Sequence, residues 1–135
     1  MRAIEYFDSL EIHPEISKVS RKLFADKHYA QAILEAFKKI NNMVKIKSGR
    51  TDLDGKSLMT TVFSRNNPVL RLNELKTTTD LDLQEGYMHL FAGAIQGIRN
   101  PKAHDEIVQN NPFTTVKFLC FASMLAQKID ESKKK

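Results

Sequence analysis

The chain has 135 residues, 41% of them hydrophobic and 27% charged, which fits one globular domain over 1–135 and excludes a disordered chain. No apolar run is long enough to cross a bilayer, so no membrane contact is expected, and the single Cys120 excludes an intrachain disulfide and points to a cytoplasmic location. A net charge of +5 points to a polyanion as partner, nucleic acid first, although part of the excess is the terminal "KKK" at 133–135, which reads as a solvated end.

The N-terminal "MRAIEYFDSLEIHPEI" has acidic residues where an export signal needs an apolar core, so no export signal is expected. His13 before Pro14 reads as local helix-start structure. Pro14 is a favourable first helical residue, and Ile16, Val19, Leu23 and Phe24 then lie on one helical face. A second helix is expected from Tyr29 to Lys47, with Ile33, Phe37, Ile40 and Val44 inward and Lys38, Lys39 and Lys45 on other faces. "SGRTDLDG" at 48–55 has loop composition. Residues 56–65 suit a short helix or part of the core wall, and 66–80, with Pro68 and a threonine run, suit irregular or briefly extended chain.

From Asp82 a third long helix is expected, with Leu83, Tyr87, Leu90, Ala94 and Ile98 as its stripe. It should end near Arg99, because a residue before proline is pushed out of the α region. Asn100 then suits an N-cap and Pro101 the first residue of a short helix to about Val108. A last helix is expected from Phe113 to about Glu131, with Phe113, Val116, Cys120, Phe121, Met124 and Leu125 inside. Phe118 and Leu119 make it apolar nearly all round, so it is buried or packs against a second copy. These elements predict an all-α bundle of four main helices, with a short extra helix and one irregular region.

The chemistry-bearing stretch is "GIRNPKAHDE" at 97–106. A sharp Asn-Pro turn would bring Arg99 and His104 into one space. Arginine is always charged and its forked donors suit phosphate. Imidazole gains and loses a proton near neutral pH, and the positive end of a helix dipole favours the neutral form that a general base needs. RNA carries its own nucleophile, the 2′-hydroxyl. A base and acid to move its protons and an arginine to stabilise the phosphoryl charge suffice for cleavage to a 2′,3′-cyclic phosphate, with no metal or cofactor. One histidine per chain supplies one proton-transfer group, and a two-fold dimer would supply the second. Spacing alone leaves the other reading open: an arginine placed by the helix dipole, an ordinary helix start, and a local His104–Asp105 pair.

"GIRNPKAHD" resembles the signature of the HEPN superfamily (higher eukaryote and prokaryote nucleotide-binding domains): Arg, four to six residues, then His, usually with a polar residue after the Arg. Arg99, Asn100 and His104 fill those positions. "EIHPEISKVSRKLFADKHYAQAILEAFK", "DGKSLMTTVFS" and "EGYMHLFAGAIQGIRNPKAH" are similar to a bacterial HEPN subgroup, often of unassigned function and sometimes linked to abortive infection, and they extend the resemblance over nearly the whole chain. The resemblance implies a small helical bundle with the motif at a junction of its later helices. Many such proteins are dimeric, metal-independent ribonucleases of toxin or phage-defence type, with two motifs meeting at the dimer interface. It therefore implies Arg99, Asn100 and His104 as catalytic, with RNA, a second copy and an antitoxin or defence protein as partners. Other HEPN domains keep the fold and only bind a nucleotide, RNA or protein.

Around that motif, Lys102 is a candidate phosphate contact or a solvated lysine. His28 and Glu35, seven apart and so on one helix face, are candidates for the same cleft, or else a surface pair with His28 in the turn between two helices. Glu85 and His89 have a spacing compatible with a metal, but no second pair accompanies them and no metal is expected. Cys120 reads as a small buried residue, and Gly93, between Ala92 and Ala94, as a site of close helix packing.

Overall fold

The computed structural model describes residues 2–101 and 109–134. The order is α1 Ala3–Ser9, α2 Pro14–Ala25, α3 Tyr29–Ser48, α4 Gly55–Val62, β1 Leu70–Arg71, α5 Thr78–Ala94 running on into a π-helical turn Ile95–Arg99, α6 Pro112–Glu131 and β2 Lys133–Lys134. The fold is all-α, with four long helices as the sequence predicts. Helix α3 is the central one: α2, α6, the π turn and α4 all pack against it. Its stripe is as expected, with Ile33, Phe37, Ile40 and Val44 all fully buried.

The starts of α2 and α6 follow from local chemistry. His13 is the N-cap of α2: its Nδ1 accepts the Glu15 amide at 3.1 Å, which leaves the proton on Nε2 to donate to Asp130 Oδ2 at 2.6 Å. Asn111 caps α6 by accepting the Phe113 and Thr114 amides, with Pro112 in the first turn. Helix α2 ends with Lys27 in the left-handed region (φ 67°), and the His28 amide donates back to the Leu23 carbonyl at 2.8 Å. That is a Schellman-type ending, a position that favours glycine. Lys27→Gly is expected to stabilise the fold by about 1 kcal/mol, read as a higher urea midpoint with an unchanged slope.

Several expectations are corrected. The threonine run does not stay irregular: Thr77 caps α5 through a reciprocal pair with Asp80, so the helix starts at Thr78 rather than at Asp82. The buried face of α5 is Gln84, Phe91, Ala92 and Ala94, while Leu83 and Leu90 are exposed. The reason is Gln84, which is fully buried and donates to the Phe63 and Leu70 carbonyls while accepting the Leu72 amide. A polar residue satisfied three ways turns the helix one residue from its apolar stripe.

On α6 the buried residues include Val116, Leu119, Ala122, Leu125 and Ile129, whereas Phe113, Cys120 and Met124 are exposed. Apolar residues surround this helix, so their pattern could not select the inward face. Gly93 is exposed and a Cβ there would meet nothing, so it is no packing glycine. The lysine tail is only partly a solvated end: Lys133 and Lys134 are exposed, yet their backbone pairs antiparallel with Arg71 and Leu70.

The largest local departure lies at the end of α5. The helix does not stop before Pro101. Asn100 keeps helical dihedrals (φ −62°, ψ −47°), and its amide donates to the Ile95 carbonyl five residues back. Proline lacks an N–H and its ring crowds the carbonyl four residues earlier, and a widened π turn relieves that crowding without breaking the helix. Asn100 is therefore not an N-cap. The expected short helix to Val108 lies outside the described residues for 102–108.

Candidate functional site

Arg99 is placed by the π turn. Ile95 and Arg99, four apart, both face the start of α4, where Gly55 holds φ +61°. A Cβ on Gly55 would stand 3.5 Å from Arg99 Nη2 and 3.8 Å from Ile95 Cγ2, so the arginine lies directly over that glycine. Arg99 Nε donates to Asn100 Oδ1 at 3.0 Å. Its Nη2 is 3.7 Å from Asp54 Oδ2, close enough for charge attraction though long for a hydrogen bond. The side chain is 18% exposed, so the guanidinium is largely enclosed yet open to solvent.

Asp54 stands at the N-cap of α4, where an aspartate ordinarily accepts its own helix's amides. Its side chain makes no capping hydrogen bond here, and only the Gly55 amide at the first helical position lies close enough to favour its charged form. Asn41, on α3 and 3% exposed, satisfies the first amide of the helix: its Oδ1 accepts the Gly55 amide at 3.2 Å. Its Nδ2 donates to Asp54 Oδ1 at 2.5 Å. Lys45, one turn along α3, brings its Nζ within 3.5 Å of the same oxygen. Burial pushes the Asp54 carboxyl up, but the Asn41 amide, the Arg99 and Lys45 cations and the Gly55 amide outweigh it and hold the group below its usual range. The carboxylate is therefore ionised at neutral pH.

The result is a polar cluster of Arg99, Asn100, Asp54, Asn41 and Lys45 where the end of α5 meets α3 and α4. Two of its members, Arg99 and Asn100, are candidates from the sequence. His104 and Lys102 lie outside the described residues. His28 and Glu35 are not brought to the cluster. His28 occupies the N-cap position of α3, thirteen residues and so roughly 20 Å along the helix from Asn41. Glu35 accepts from Gln31 and from Lys38 on its own helix. Glu85 and His89 form an exposed pair at 4.0 Å, and no group of three or more metal-ligating side chains gathers among the described residues.

Asp54 and Asn41 were not legible as site residues. "SGRTDLDG" reads only as a loop, and Asn41 sits between buried positions of α3 as one polar residue among several. Only their meeting across 13 residues of chain reveals them.

Residues 10–129 match the family described as "Protein of unknown function (Hypoth_ymh)". The chain belongs to that family. The match runs from the turn after α1 to the last turn of α6, so it takes in all four long helices of this Hypoth_ymh domain and every member of the cluster. No curated protein and no solved structure matches the chain.

Proposed function

We propose that this Hypoth_ymh protein is a HEPN-like, metal-independent endoribonuclease of toxin or phage-defence type. In this reading Arg99 stabilises the negative charge that gathers on the phosphoryl oxygens as the 2′-hydroxyl attacks. Asn100 fixes the guanidinium through Nε, and His104 moves the proton. A second copy brings a second arginine and histidine to the same groove. The observation that carries the reading is Arg99 itself. A surface arginine with no task moves through many rotamers. This one is held from two sides, over a glycine, and still reaches solvent. The exposed Phe113 and Met124 of α6 and Leu90 of α5 are the kind of apolar surface that a second copy would cover.

The test is cleavage of mixed cellular RNA in EDTA, comparing wild type with His104→Ala and mapping the product ends. The expected result is cleavage that requires His104 and leaves 2′,3′-cyclic phosphate. RNA retention that weakens steeply with salt, without any cleavage, would instead mark a non-catalytic binding module, and the partner would become the question.

A further inference from the structure

Resting on that reading, we propose that Asp54 is the positioning residue of the site: it holds the Arg99 guanidinium over Gly55, and Asn41 and Lys45 hold Asp54. Three observations converge. Asp54 occupies a helix N-cap yet its side chain makes no capping hydrogen bond to the helix. The buried Asn41 accepts the first amide of that helix and grips the carboxylate with its other end, so the carboxylate is fixed from the α3 side. The other carboxylate oxygen faces Arg99 Nη2, at the end of the guanidinium left unbound by Asn100.

The electrostatics give this arrangement a purpose. Arg99 lies against the amino-terminal end of α4, whose dipole is positive and repels a cation. An ionised carboxylate at that end offsets the repulsion and fixes where the guanidinium rests. The same negative charge opposes an incoming phosphate. Asp54 therefore trades some affinity for orientation, and this trade separates positioning from simple structural support.

The experiment uses the full chain with Asp54→Ala, Asp54→Asn and Asp54→Glu, read in two ways. The first is the Arg99 Nε–H resonance in nitrogen-15 spectra, assigned by its loss in Arg99→Lys. It should be sharp and slow to exchange in wild type, broadened and shifted in Asp54→Ala, and partly restored in Asp54→Glu. The second is RNA cleavage: Asp54→Ala should lower kcat about 10- to 100-fold through misplacement of the arginine, while KM stays level or falls. Asp54→Asn keeps an acceptor for Asn41 without the charge, and it serves if the alanine variant fails to fold.

An unchanged Arg99 resonance in a folded variant overturns the proposal, as does a rise in kcat, which would make Asp54 a competitor for the guanidinium. If the wild type cleaves no RNA, the ribonuclease reading falls, but the resonance still decides the role of Asp54.

Discussion

Arg99→Lys is expected to lower RNA cleavage about 100- to 1,000-fold, nearly as far as Arg99→Ala, with little change in stability. Lysine keeps the charge and most of the reach. It loses the planar fork: there is no Nε to donate to Asn100, and no fixed Nη pair to match two phosphoryl oxygens. The fold should survive, because the contact to Asp54 is long and the side chain reaches solvent. The measurement is the initial rate on a labelled RNA with excess EDTA, with a thermal melt of each variant alongside. A lysine variant that cleaves as fast as wild type would show that only net charge matters, and the constraint imposed by Asn100 and Asp54 would have no catalytic meaning.

That prediction depends on a turn the sequence misdescribes. The rule that a residue before proline leaves the α region is a bias, and at Asn100 a π turn overrides it. Had the helix stopped at Arg99, Asn100 would have faced forward to cap a new helix. With the helix continuing, its side chain is released to accept from Arg99. The motif residues are legible in the sequence because their types are few and their order is distinctive. Their geometry is not, because it is set by where α4 begins. Gly55 and Asp54 close the stretch 48–55, whose composition says only that the chain turns.

The same contrast runs through the fold. On α3 the apolar stripe is narrow and surrounded by lysines, so one face alone can be buried, and Ile33, Phe37, Ile40 and Val44 are fully buried as their spacing predicts. On α5 and α6 apolar residues occur on several faces, and periodicity gives no unique answer. There the decision passes to shape and to polar satisfaction. Phe63 and Phe91 stack at 4.3 Å and 10°, which fixes α5 against the end of α4. That contact, with Gln84 beneath β1, places Leu83 and Leu90 outside.

Gln84→Leu is accordingly expected to be among the most destabilising single substitutions in the chain, although it puts an apolar residue into a fully buried site. Leucine is close in size, so no large cavity forms. The loss is in hydrogen bonding. The Phe63 and Leu70 carbonyls and the Leu72 amide all bond to this one side chain, and a buried polar group left without a partner costs about 1–3 kcal/mol. Backbone relaxation and water entry recover part of that, so a net loss of about 3 kcal/mol is expected, a large share of the typical stability of a domain.

Gln84→Glu should fare no better, since a carboxylate keeps the acceptor for Leu72 but faces two carbonyls with no proton to give. Raising the concentration of protons should then partly rescue the glutamate variant alone, because protonation restores one donor. Urea titrations of both variants at neutral and mildly acidic pH test this. A leucine variant as stable as wild type would mean that the 63–72 segment finds other partners, and that the inward face of α5 is set by the Phe63–Phe91 stack without help from Gln84.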